Sequence, residues 1–262
     1  MFAKERQALI SGMVKKDGAV TTGALVEKLG VSVETVRRDL LELEKRGSLT
    51  RVHGGAVAAG DMQPPMELPQ RNLAQSRQKQ ELSAVAAEFV NEGDIIAVDS
   101  GSTAIHFAQG LKERFSALTV VTHSRDVFDL LCDHGDFTVI LCSGHYLRAE
   151  RAFYGPLVLD GLQKLHVQKA FLFPSAISLE GGICDYQQDL CLVQKQLMAA
   201  AETVLILADS SKFEKKALLQ LSPIKTDYIY ITDRDLPEDI RRLYGKNGIQ
   251  LRNGGAICKS KN

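Results

Sequence analysis

The sequence predicts an α/β protein in two parts: a short head of three helices closed by a β-wing, and a larger body built on a Rossmann-like parallel sheet. Three observations carry that expectation. The first 57 residues show helical apolar stripes ended by glycines. From Gly93 onward, short apolar runs alternate with helical patterns. A stretch containing Pro64, Pro65 and Pro69 lies between the two.

Composition narrows the function classes. A hydrophobic fraction of 45% with 24% charged residues is that of a globular chain with ample core material, which excludes disorder. No apolar run approaches the ~18 residues a membrane span needs, and the start Met1-Phe2-Ala3-Lys4-Glu5-Arg6 is charged at once. A cytoplasmic protein with no membrane partner is expected. Cys132, Cys142, Cys184, Cys191 and Cys258 are odd in number and scattered, so they are expected to be reduced packing residues, and no metal or cofactor is expected. The net charge is zero, but residues 1–57 hold ten Lys+Arg against seven Asp+Glu, leaving 22 against 25 for the remaining 205. A basic head on an acidic body suits a small module that meets phosphates.

In the head, Ala8, Leu9, Met13 and Val14 draw a stripe on a first helix from Glu5 to Lys16, ended by Asp17-Gly18. Thr21 is suited to cap a second helix and Gly30 to end it. Ser32 is the next N-cap, and residues 33–46 form an amphipathic third helix whose expected buried face is Val33, Val36, Leu40 and Leu43. The short turn between helices two and three is that of a helix-turn-helix, which places the third helix in the major groove of double-stranded DNA. Ser32, Glu34, Thr35, Arg37 and Arg38 are then the DNA-facing candidates: hydroxyls and the helix N-terminus bind phosphate oxygens, and guanidinium bridges guanine O6 and N7. Residues 48–56, Ser-Leu-Thr-Arg-Val-His-Gly-Gly-Ala, read as a β-wing. An isolated Arg-Arg pair would more often only solvate a helix. Here the run Leu-Gly-Val-Ser-x-x-Thr-Val-Arg-Arg-Asp-Leu followed by Arg51-Val52-His53-Gly54-Gly55-Ala56 resembles the signature of the DeoR family of bacterial transcriptional repressors. The resemblance implies that the third helix is the recognition helix and that Arg51 and His53 of the wing touch DNA.

Residues 58–75 show no sustained period and read as a linker between a DNA-binding domain, 1–57, and an effector-sensing domain, 76–262. Residues 75–91 then read as a helix turning Leu82, Val85, Ala86 and Phe89 inward. The apolar runs 95–98, 118–121, 138–141, 170–173, 204–208 and 228–231 indicate parallel strands covered on both faces. In such open sheets ligands bind at the carboxyl ends of strands. Asp99-Ser100-Gly101-Ser102-Thr103 follows the first strand and opens a helix, a natural phosphate cradle. The other strand ends add Thr122, His123 and Ser124; Ser143, Gly144 and His145; Ser175; and Asp209 with the cation Lys212. Lys79, near the start of the preceding helix, joins these effector candidates. His106, His134 and His166 read as packing, surface or loop residues, and Asp233-Arg234-Asp235 as the approach to a last helix. An acid–base role for Asp99, Asp209 and His145, as in a working sugar-phosphate isomerase, is the competing reading, and a nucleoid-type binder without sequence preference is disfavoured by the neutral net charge.

The order of these motifs also resembles the DeoR sensor domain, from Arg71 and Lys79 through Asp-x-Gly-Ser-Thr and Gly181-Gly182-Ile183 to Ala208-Asp209-Ser210-Ser211-Lys212-Phe213. That domain is similar in fold to sugar-phosphate isomerases. The resemblance implies a phosphorylated sugar or polyol as a non-covalent effector, on which no chemistry is required; because a helix-turn-helix half-site is short, a homodimer or homotetramer on repeated half-sites is expected. Two departures fall where the sugar should sit: Ser143-Gly144 where the family has Gly-Gly, and Cys191, with only Asp189 close by, where it has an acid ahead of Lys195.

Overall fold

The computed structural model describes residues 2–17, 19–52, 54–58 and 66–253. The head consists of α1 (Ala3–Asp17), β1 (Ala19–Thr21), α2 (Thr22–Leu29), α3 (Val33–Lys45), β2 (Leu49–Val52) and β3 (Gly55–Ala58). The helix ends are set as the residue types dictate. The Thr21 hydroxyl accepts from Ala24 N at 3.1 Å, Gly30 turns left-handed at φ 64° and donates to Val26 O, and Ser32 Oγ accepts from Thr35 N. Ile10, Val14, Leu25, Val36, Leu40, Leu43 and Leu49 close a small buried core. The wing is antiparallel in the order β1-β3-β2. Gly55 is obligatory in it, because a Cβ there would lie 2.0 Å from Val20 O.

The expected buried face of the third helix needs correction. Val33 is 44% exposed, because the first turn of α3 lies open. The buried side chain that the apolar pattern misses is Asp39, which accepts from Arg6 Nε at 2.5 Å and Gln7 Nε2 at 3.1 Å and so ties α3 to α1. A buried carboxylate is tolerated only with such partners.

The body begins with α4 (Leu68–Leu73), which the reading of 58–75 as a structureless linker does not foresee. Pro69 falls in its first turn, where a missing N–H costs nothing. Gln75 then bends left-handed at φ 55° into α5 (Ser76–Ala87). The main sheet and its crossovers follow: β4 (Ile95–Val98), α6 (Ser102–Arg114), β5 (Thr119–Thr122), α7 (Arg125–Leu131), β6 (Thr138–Leu141), the hairpin β7 (His145–Leu147) and β8 (Ala152–Tyr154), α8 (Pro156–Leu162) and β9 (Val167–Leu172). After it come β10 (Ala176–Ser178), β11 (Gly182–Asp185), α9 (Gln188–Ala199), β12 (Ala201–Leu207), β13 (Leu219–Ser222), β14 (Ile229–Ile231), α10 (Glu238–Lys246) and β15 (Leu251–Arg252). The hairpin and the small antiparallel sheet β10-β11-β13 are additions to the expected alternation.

Seven strands pair in parallel in the order β15-β14-β12-β9-β4-β5-β6. Strand residues alternate between two cores, as the pleat requires. Ile96, Val98 and Val120 pack with Phe107, Leu111, Val127 and Leu131 on one face, and Ala97, Val121 and Ile206 pack with Val158, Leu162, Val193 and Leu197 on the other. Phe107 and Phe171 stack across the first core with centroids 4.4 Å apart. Truncating either ring to alanine costs roughly 3–5 kcal/mol at such a site.

Candidate functional site

The strand order reverses between β4 and β9: β5 and β6 continue to one side, β12, β14 and β15 to the other. The loops leaving β4 and β9 therefore diverge to opposite faces and open a crevice at the carboxyl end of the sheet. A cleft of about 400 Å³, its mouth included, lies there, and its walls include Ser100 and Gly101 after β4 and Phe173 and Ser175 after β9. Other chain segments complete it: Arg71 from α4, Glu150 after β7, Asp185 at the end of β11, and Tyr186, Gln187, Leu190 and Gln194 leading into and along α9. Gly101, at φ 107°, is the N-cap of α6 and supplies no side-chain cap, so the first turn of a 13-residue helix opens at the cleft wall with its amides uncapped. Such amides, reinforced by the helix dipole, favour an anion.

The expected effector residues separate into three groups. Ser100, Gly101 and Ser175 line the cleft, and Ser102 and Thr103 form the first turn of α6 beside it. Asp99, Thr122 and Ser124 are instead buried in the protein and do not line the cleft. Asp99, fully buried, accepts from His123 Nε2 at 2.9 Å, Gln194 Nε2 at 2.9 Å and Phe173 N at 3.3 Å. Thr122 Oγ1 donates to Val98 O, and Ser124 Oγ caps α7. His123, expected to meet ligand, is buried with Asp99 on one ring nitrogen and Phe153 O on the other, so its polar atoms are committed to the fold. Ser143, Gly144 and His145 do not line the cleft. They follow β6, the edge strand two neighbours from the reversal, about 10 Å away at ordinary strand spacing. Gly144 owes its small size to protein packing, since a Cβ there would lie 2.5 Å from Tyr154 O. His145 packs edge-on to Tyr154.

The cations are held close behind this wall. Lys212 Nζ donates to Pro174 O at 2.8 Å, on the loop that follows β9, and Asp209 accepts from Ser211 N to form the turn that carries it. Lys79 is buried, and its ammonium donates to Arg71 O and Ala74 O, holding the last carbonyls of α4. Burial first, and the neighbouring charge of Lys212 second, bring the Lys79 ammonium down to about 8. Burial likewise lowers Lys212, against the pull of Asp209. Sequence reasoning missed Glu150, Asp185 and Gln194. The Glu150 carboxylate pairs with Arg71 Nη2, yet burial still pushes its carboxyl up. Asp185 supplies the acid ahead of α9 that Cys191 and Asp189 do not: Cys191 is buried in the core and Asp189 is exposed. Cys142, Cys184 and Cys191 are buried and unpaired, and Cys258 lies outside the described residues.

In the head, Glu34, Arg37 and Arg38 are exposed at neighbouring positions of α3. Arg37 stands 3.8 Å from Glu34, and Arg38 has no ion-pair partner among the described residues. Ser32 and Thr35 share a hydroxyl contact of 2.9 Å at the helix start. Arg51 is committed to Glu44, with Nε at 2.8 Å from the carboxylate. His53 lies outside the described residues. Among the described residues no helix is long and apolar enough to cross a membrane.

A winged helix whose third helix exposes arginines, followed by a doubly wound domain with a cleft at its topological switch point, defines a ligand-responsive DNA-binding transcriptional regulator. Comparison with known proteins places it more closely. The DeoR-like helix-turn-helix domain matches residues 6–61 and the DeoR C terminal sensor domain matches residues 74–234, so the chain belongs to the DeoR family. It is similar to the L-fucose operon activator of Haemophilus influenzae, 31% identical over 244 residues that cover 93% of this chain and 97% of the relative. It is also similar to the HTH-type transcriptional repressor GlcR of Bacillus subtilis, 28% identical over 253 residues and 96% of each chain. Ribose 5 phosphate isomerase A from Neisseria gonorrhoeae aligns at a TM-score of 0.40 and 19% identity over 54% of this chain and 55% of its own, too distant to bear on function. The family and these two relatives are regulators of transcription, not enzymes, and none of Asp99, Asp209 and His145 lines the cleft.

Proposed function

We propose that the chain represses a sugar- or polyol-utilisation operon, and that a phosphorylated sugar in the switch-point cleft modulates its grip on operator DNA. Residues 1–57 act as the DNA-binding domain, 58–75 as the connecting segment and 76–262 as the effector-sensing domain, with α4 of the connecting segment lending Arg71 to the cleft. The observation that carries this reading is the uncapped first turn of α6 at the reversal of strand order, beside Arg71. The amides of Gly101, Ser102 and Thr103 receive the phosphate, while Ser100 and Ser175 bind sugar hydroxyls and Lys212 holds the Phe173–Ser175 loop and adds positive charge. Asp99, Thr122, Ser124 and Asp209 are buried in the protein and do not line the cleft. In the head, Ser32 and Thr35 meet phosphates, and Arg37 and Arg38 read bases. Two half-sites of DNA require at least a homodimer, with a homotetramer as the larger alternative, working in the cytoplasm.

Thermal melting against a panel of sugar and polyol phosphates, each beside its unphosphorylated form, tests the sensor. A ligand bound by the native state raises stability by RT ln(1 + [L]/Kd). Stabilisation by a phosphorylated compound and not by its parent sugar is the expected result, and its loss in Arg71→Met and Ser102→Tyr assigns the cleft. No stabilisation by any phosphorylated member of a broad panel refutes the reading.

A further inference from the structure

The wall of the cleft opposite α6 offers acceptors without matching donors. The Gln194 side chain is only 3% exposed and lines the cleft. Its amide nitrogen is clamped between two carboxylates, donating to Asp99 Oδ2 at 2.9 Å and Asp185 Oδ2 at 3.1 Å. That clamp fixes which end is nitrogen, since a carboxylate would repel the oxygen. The other end, Oε1, is buried with no hydrogen-bond partner. A buried carbonyl oxygen left in this way is destabilising unless a donor arrives.

The neighbouring charge is also one-sided. Asp185 accepts from Ser175 Oγ and Tyr186 N, both at 2.7 Å, and from Gln194, and it has no ion-pair partner among the described residues. Asp99 stands behind the same amide. The one cation lining the cleft, Arg71, is taken by Glu150. Lys212 is turned to Pro174 O and balanced by Asp209.

We infer that Asp185 and the Gln194 Oε1 atom form a subsite for a protonated amine, so that the effector is an amino sugar phosphate. The inference rests on the phosphosugar reading above and adds the functional group that the sugar carries. An ammonium brings three donors, no acceptor and a full positive charge. It therefore satisfies Oε1 and the open lone pair of Asp185 together, while the Gln194 amide nitrogen keeps its place between Asp185 and Asp99. A hydroxyl supplies one donor and no charge, and an acetylated amine has lost the charge. Burial and the charge of Asp99 both push the Asp185 carboxyl up, which is the strain a bound cation relieves. Gln194 and Asp185 are thus specificity-determining residues, while the phosphate is held on the opposite wall.

Isothermal titration of the full chain with hexosamine 6-phosphates of gluco, galacto and manno configuration, each beside the parent hexose 6-phosphate, the N-acetylated hexosamine 6-phosphate and the free hexosamine, decides the matter. One hexosamine phosphate should bind at least about tenfold tighter than its hydroxyl and N-acetyl counterparts, the difference a charged hydrogen bond makes in a buried site. Asp185→Asn should bring the three phosphorylated forms within about threefold of one another, as expected for a subsite whose charge is gone. Equal or tighter binding of the hexose or N-acetyl phosphate to the unaltered protein overturns the amine subsite and leaves the phosphosugar reading standing. Binding of none of these phosphorylated sugars overturns the amine subsite as well, and the phosphosugar reading then falls only if the broad melting panel also gives no stabilisation.

Discussion

Replacing Gln194 by leucine removes the amide that bridges Asp99 and Asp185, and the structure sets the size of the effect. Two hydrogen bonds to carboxylates, at 2.9 and 3.1 Å, are lost. Each is worth about 1.5–3 kcal/mol, and removing the unpartnered Oε1 returns about 1–3 kcal/mol, leaving a net destabilisation of roughly 2–3 kcal/mol. For a domain of this size that lowers Tm by about 5–10 °C. The deficit should also depend on pH. The folded protein holds the Asp185 proton more tightly than an unfolded carboxyl titrating near 3.8. Folded-state stability therefore falls as pH rises from that value through the raised one, and loss of the donor moves the raised value higher still. The deficit should be smaller near pH 3.8 than at about pH 7. The chain contains no tryptophan, so melting is followed by far-UV circular dichroism in ligand-free buffer. An unchanged Tm, or a deficit equal at both pH values, refutes the bridging role assigned to Gln194.

Arg38→Ala should weaken specific operator binding by about tenfold to a hundredfold, the worth of a base contact, without moving the melting of the sensor, as gel-shift titration beside calorimetry will show. Unchanged affinity would displace α3 as the recognition helix. Lys79, brought down to about 8 from 10.5, binds fewer protons folded than unfolded across that window, so stability should climb as pH rises from 8 toward 10.5. Lys79→Met should flatten the climb in pH-dependent urea melts. Gly55→Ala puts a methyl 2.0 Å from Val20 O and should unpair β1 from β3, abolishing DNA binding while effector-induced stabilisation of the sensor persists.

The strands of the body were legible because a strand buried on both faces must be apolar throughout, and 95–98 and 204–208 carry that mark, whereas 138–141, expected to be covered on both faces, lies half exposed at the sheet edge. The helix starts at Thr21 and Ser32 were legible because capping is local chemistry. The cleft was half legible. The sequence treats every strand end alike, but only the pairing of β4 with β9, residues some 70 positions apart, decides where the sheet order reverses. Ser100, Gly101 and Ser175 border that reversal, whereas Ser143 and His145 follow an edge strand and fall outside the cleft. Asp185 and Gln194 lie between strands, on a hairpin and helix that periodicity does not connect to the sheet. The turn at Gly181-Gly182 between Ala176–Ser178 and Gly182–Asp185 is the signal that could have revealed the hairpin. Arg71 was named through the family resemblance alone, and the helix α4 that carries it was hidden by the prolines that made its surroundings read as linker.

The cleft walls come from stretches far apart in the chain: Arg71, Ser100, Glu150, Ser175, Asp185 and Gln194. A molecule lodged among them acts as a reversible cross-link, adding to the few direct contacts, Arg71 with Glu150 and Asp185 with Ser175 and Gln194, that already join these segments. One of those links passes through α4, which begins ten residues beyond the last strand of the head. A bound molecule therefore also grips, through Arg71, the part of the body that stands nearest in sequence to the head.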